Sequence, residues 1–332
     1  MTLFGHLDDG TEVHSVTLTA GNLRATFLTY GTILQSLELD GHPFPLVLGY
    51  NDLDHYLTDS PYFGATAGRY ANRIRDGHLC ILGKTYQLNQ NFIGKHCLHG
   101  GMQSIGKKPW QLDDYTEDSV RFSIQLEDGE MGFPGNMGIQ AKFQLLAPGT
   151  LDITYTATTD ATTICNLAHH SYFNLSGEDD ILQHQLQVNA EAFLPVNDEL
   201  IPTGEIQSLD NHLFDFRQAK SIGSIPKDMV LDHNFCSQLT SRPKHIATLY
   251  SPASGVEMQC LTTEPGIQVY TGAKINTQSP GLMGKAMGAY AGIALEPQLW
   301  PDANHHPHFP NPVLLAGETY YQKTQYVFAK VD

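Results

Sequence analysis

The chain predicts an all-β fold, a large antiparallel sandwich with few short helices. Three observations carry this: long stretches of period-two apolar alternation, glycine-containing turn signals between them, and a scarcity of helical stripes. Early in the chain the breaks fall at Asp9-Gly10 and Asp40-Gly41, and Asp52 to Leu57 reads as one short helical turn. Further breaks follow at Asp76-Gly77 and Leu82-Gly83. From Val120 to Glu127, Val120, Phe122, Ile124 and Leu126 alternate with Arg121, Ser123, Gln125 and Glu127, and Asp128-Gly129 closes the run. Phe143 and Leu145 lead into a Pro148-Gly149 turn, and Leu151, Ile153, Tyr155 and Ala157 alternate on the return, which is a hairpin pattern. Two stretches break the rhythm, 92–101 and 296–312, both rich in Gly, Pro, His and Asn. Loops of that kind on a β scaffold are where ligand chemistry usually sits.

A length of 332 residues suits about two domains of ~150 residues each, but all-β units often exceed that size. With no low-complexity linker and no repeat of fixed period, one domain over 1–332 is expected. Charge is strongly acidic, 19 Lys+Arg against 35 Asp+Glu for a formal −16. Such a field repels nucleic acid and anionic membranes and disfavours phosphorylated substrates. The five cysteines are widely spaced without a CxxC pair, so free thiols in a reducing compartment are expected. The first residues show no basic start before an apolar run, and no apolar stretch approaches the ~20 residues that span a bilayer. A cytoplasmic location follows as the expectation.

Histidines cluster at His96 and His99, at His169 and His170, and at His305, His306 and His308. Imidazole is the natural proton carrier near neutral pH, although an isolated histidine is more often a structural residue. The last cluster reads as an exposed Pro-rich loop. No HExxH pair occurs, and a metal on that loop would need carboxylates at ligand spacing beside it, so no metal is expected. Glu296 ends the apolar run Ile293-Ala294-Leu295. It either leaves the core for solvent or is delivered to a pocket floor, where burial would raise its pKa toward that of a useful base. Asp232 carries the same ambiguity. Fifteen Tyr, 15 Phe and 2 Trp offer flat faces for a sugar, but most of them must be core.

Several segments occur in one order: GATAGRYANRI at 64–74, CLHGG at 97–101, EMGFPGN at 130–136, HHSYFNLSG at 169–177, LPVNDELIPTGE at 194–205, LDHNF at 231–235, PGIQVYTG at 265–272 and ALEPQLWPDANHHPHFP at 294–310. Through them the chain resembles the aldose 1-epimerase (galactose mutarotase) family over nearly its full length. The resemblance implies a β-supersandwich, free aldohexoses as small-molecule partners, and no cofactor. It implies Glu296 as catalytic base and His170 as catalytic acid, with Asn72, Arg73, His99, Tyr172, Asp232 and Gln268 at the sugar. Two positions depart from the family pattern. His169 stands where Asn is common, and Pro297 where Thr or Ser is common.

Anomer exchange opens a hemiacetal and recloses it on the other carbonyl face. A base takes the C1 hydroxyl proton while an acid protonates the ring oxygen, so one carboxylate and one imidazolium suffice. Two alternatives are weighed. A hexose-6-phosphate epimerase would need a cationic cluster, for which Arg69, Arg73 and Arg75 are the candidates. A silent sugar-binding domain would have lost a proton carrier, yet Glu296 and His170 are both present.

Overall fold

The computed structural model describes residues 1–226 and 228–331. Three antiparallel sheets dominate. The largest has nine strands, and its central members are Ser119–Leu126, Met137–Leu146, Thr150–Thr159, Thr319–Lys330 and Val256–Thr262. A six-stranded sheet runs Tyr172–Phe173, Ile293–Gln298, Gly266–Tyr270, Asp232–Cys236, Ala192–Phe193 and Gln207–Ser208. A four-stranded sheet holds the first 39 residues.

The predicted hairpin forms as read. Val120 pairs with Phe143, and Phe143 pairs with Ile153 across the next strand. Alternation aims Val120, Phe122, Phe143, Ile153 and Tyr155 into one core. Leu295, Val269, Ile267 and Phe173 from the six-stranded sheet pack into that same core, which makes the two sheets a sandwich. The expected helical turn is the α-helix Leu53–Thr58, capped by the Asp52 carboxylate accepting from the His55 amide at 3.2 Å.

The second irregular stretch starts later than expected. Glu296 lies inside the strand Ile293–Gln298, so the loop begins after Gln298. Every residue of this strand is buried, because its outer face is covered too. Among the described residues no helix is long and apolar enough to cross a membrane.

Candidate active site

Strand register decides which residues meet. Asn234 pairs with Gln268 and Gln268 with Glu296, while Asp232 pairs with Tyr270, Tyr270 with Ala294, and Ala294 with Tyr172. Directly paired residues share a sheet face, so Glu296, Gln268, Asp232 and Tyr172 stand together on the face away from Leu295 and Val269. The solvent-exit reading of Glu296 is thereby excluded; it is 2% exposed.

A short strand, Ala168–His170, pairs with Ala65–Ala67 beside this face. Alternation separates the two histidines. His169 points inward, with its ring 6.0 Å from Phe143 and 6.2 Å from Tyr326 and its Nε2 2.7 Å from Ser171 Oγ. His170 faces the cleft, its Nε2 3.4 Å from Glu296 Oε2.

The third wall comes from the pairing of Arg73–Ile74 with Cys97–Leu98. At its end the His99 amide donates to Asn72 O at 3.0 Å, and the Asn72 amide donates to His99 Nδ1 at 3.1 Å. Burial, with His170 and the Arg73 and Lys107 charges adding to it, holds the His99 pKa well below the usual histidine range. A neutral ring accepting at Nδ1 must carry its proton on Nε2, so His99 presents a donor on that side. Arg73 Nη2 lies 3.3 Å from Asp232 Oδ2, and Gln268 Nε2 donates to Asp232 Oδ1 at 2.6 Å. The Asn72 side-chain oxygen accepts from the Arg73 amide at 2.9 Å. The residues expected at the site thus lie together in one mostly buried cluster. Glu296 Oε2, Gln268 Oε1 and Arg73 Nε are buried there without a hydrogen-bond partner among the described residues. A cleft with such atoms suits a hydroxyl-rich guest.

Electrostatics follow from the burial of the site. Burial, then the Asp232 charge, pushes the Glu296 carboxyl well above its usual range, with Arg73 opposing. Burial pulls His170 down to about 4, against the pull of Asp232 toward the charged form. Burial also pushes the Tyr172 phenol far up, so it stays neutral. His99, His170 and Glu296 offer ligand atoms within 4.8 Å of one another, which is metal-like spacing. The His99 proton on Nε2 opposes ligation from that nitrogen.

Two further residues at the site were not among the expected ones. Tyr62 stacks on His170 at 5.9 Å and lies 4.8 Å from His99, held there by a left-handed backbone with φ of 66°. Phe92 lies under the Arg73 guanidinium at 4.7 Å. The signals that could have found them are Tyr62's place two residues before GATAGRY and Phe92's place at the start of the irregular stretch 92–101.

Other expectations are corrected. His96 is wholly buried and takes the Asp76 amide on Nδ1 at 2.9 Å, with its Nε2 3.1 Å from Glu199, so it ties two loops together. Of the C-terminal cluster only His308 is exposed; His306 is buried and His305 half-buried, both drawn to the buried Asp302 carboxylate. The three arginines of the phosphate reading do not converge. Arg69 donates to Pro134 O at 2.7 Å and Gly135 O at 2.8 Å, while Arg73 is held by Asp232. A groove of about 1030 Å³ lies elsewhere, and its cations Arg217, Lys220 and Lys244 are all engaged by protein oxygens.

The aldose 1-epimerase family model matches residues 14–327. The chain belongs to the aldose 1-epimerase family. A galactose mutarotase from Bos taurus is 37% identical over 98% of this chain and 97% of its own length. An aldose 1-epimerase from Haemophilus influenzae is 34% identical over 96% of this chain and 97% of its own. Among solved structures, an aldose epimerase homologue from C. elegans aligns with a TM-score of 0.91 at 30% identity, covering 96% of this chain and all of that one. A galactose 1-epimerase from Lactobacillus acidophilus aligns at 0.86 and 25% identity, over 100% and 98% of the two chains. An epimerase fold and its all-β architecture therefore agree with the sheets described above.

Proposed function

We propose that this aldose 1-epimerase interconverts the α and β anomers of free aldohexoses such as galactose and glucose, with Glu296 as base at the C1 hydroxyl and His170 as acid at the ring oxygen. The observation that carries this reading is the 3.4 Å approach of His170 Nε2 to Glu296 Oε2 inside a buried polar cleft.

The pair needs one proton in total. In the reacting form Glu296 is ionised and His170 protonated. Ring opening moves the C1 hydroxyl proton to Glu296 and the His170 proton to the ring oxygen, leaving a neutral acid and a neutral imidazole. That is the form burial favours, since it raises Glu296 and lowers His170. Both transfers therefore run with the electrostatics of the buried pair, which supports the otherwise unfavourable open-chain sugar. Rotation about C1–C2 presents the other carbonyl face, and closure reverses both transfers.

Asp232, braced by Arg73 and Gln268, is suited to accept from sugar hydroxyls through charge-assisted bonds. His99 Nε2–H and Arg73 would donate to ring oxygens, with Tyr172 and Tyr62 as apolar walls. The family match over 14–327 and the shared core of the two sheets support reading the chain as one domain. Free thiols at all five cysteines fit a cytoplasmic setting.

Polarimetry on freshly dissolved α-D-galactose and α-D-glucose tests the activity. The protein should speed the approach to the equilibrium rotation for at least one sugar; rates equal to buffer alone for both would refute the proposal.

A further inference from the structure

The segment PDANHHPHFP, at 301–310, lies outside the acid–base chemistry, yet it converges on the sugar-binding arm through one buried side chain. Asp302 is fully buried and sits in the left-handed region with φ of 56°. Its amide donates to Arg73 O at 3.0 Å, and its Oδ1 accepts from the Arg75 amide at 2.8 Å. One residue thus grips the backbone at two points just after the Arg73 side chain, on either side of Ile74. The same carboxylate is held by His305, whose Nδ1 is 2.6 Å from Oδ1, and His306 Nε2 lies 3.4 Å from Oδ2. Beside it the Ala303 amide donates to the Tyr70 hydroxyl at 3.2 Å, and that hydroxyl donates to Trp300 O at 2.9 Å. The chain leaving the Glu296 strand is therefore fastened to the segment bearing Asn72 and Arg73.

A buried carboxylate is an expensive way to fill space, and an apolar residue would do so without desolvation. What an apolar side chain cannot do is accept the Arg75 amide and the His305 imidazole. Arg73 in turn must reach Asp232 across the cleft at 3.3 Å, a distance that a small shift of its backbone would undo.

We propose that Asp302 is a positioning residue for sugar binding: it fixes the backbone from Arg73 to Arg75 so that the guanidinium braces Asp232 and meets the substrate, with His305 holding the Asp302 carboxylate in place. This rests on the reading that Arg73 binds the sugar, and it acts on affinity more than on proton transfer.

The test is a kinetic cycle of Asp302→Ala, Arg73→Gln and the double variant, with thermal unfolding recorded for each. Asp302→Ala, which removes the acceptor for the Arg75 amide, should raise KM about tenfold and leave kcat within about threefold, the pattern of lost ground-state binding. In the double variant kcat/KM should match Arg73→Gln alone within about twofold, because a residue acting through Arg73 has nothing left to position. A merely structural Asp302 would lower the unfolding temperature with KM unmoved, or its kinetic cost would multiply with that of Arg73→Gln. Either result overturns the proposal. If Arg73→Gln alone leaves KM unchanged, the sugar-binding reading of Arg73 fails first and the positioning role falls with it.

Discussion

Glu296 and His170 are a buried pair 3.4 Å apart, and their opposed shifts set the pH behaviour. With His170 lowered to about 4 and Glu296 raised, the pair holds its single proton from about pH 4 up to the raised Glu296 pKa. Below that window His170 takes a second proton, so kcat/KM should fall as pH drops through about 4, which a pH–rate profile checks. Stability follows a separate sign. The folded protein holds the Glu296 proton where the unfolded chain has lost it, so this carboxyl favours folding at low pH and the benefit disappears as pH rises through the raised pKa. Glu296→Gln removes that titration. Its unfolding temperature should therefore gain on the wild type as pH goes from 5 to 8, by about 2 °C or more. At the neighbouring position, His169→Asn should keep anomer exchange within about threefold, since its ring faces Phe143 and Tyr326 rather than the cleft. A drop as deep as that of a His170 variant would contradict the assignment of faces.

Strands, through their register, turn scattered motifs into a site. The period-two runs of 120–127 and 151–157 were legible because one face of each is apolar and the other polar. Strand Ile293–Gln298 was half legible. Burial on both faces made it look like a core run, while the direction of Glu296 depended on pairing with Gly266–Tyr270, a partner that no local pattern names. Tyr62 was illegible for a related reason, since its place depends on a left-handed backbone that spacing does not encode. The cleft face has little slack. A methyl group at Gly266 would come within 2.7 Å of Asn234 Oδ1 and 2.9 Å of Trp300 Cδ1, both on buried side chains. Gly266→Ala should cost about 1–3 kcal/mol of stability and lower kcat/KM together with it, measurable by denaturant unfolding and polarimetry.

Across the whole molecule, charge and the fate of the arginines favour neutral sugars. A net charge of −16 opposes anionic substrates at long range, and Arg69 is buried on carbonyl oxygens rather than free for phosphate. Glucose 6-phosphate should therefore show kcat/KM at least about tenfold below glucose, most of it in KM. The residues that do converge come from strands far apart in sequence, and only the sandwich brings Arg73 to Asp232 and His170 to Glu296. That convergence is the central claim. It is tested most directly by polarimetry of α-D-galactose with folded Glu296→Gln and His170→Asn, made separately. Each loss should be about 10²-fold or more in kcat, the usual worth of a positioned proton carrier. Either variant exchanging anomers at near wild-type rate would contradict the account.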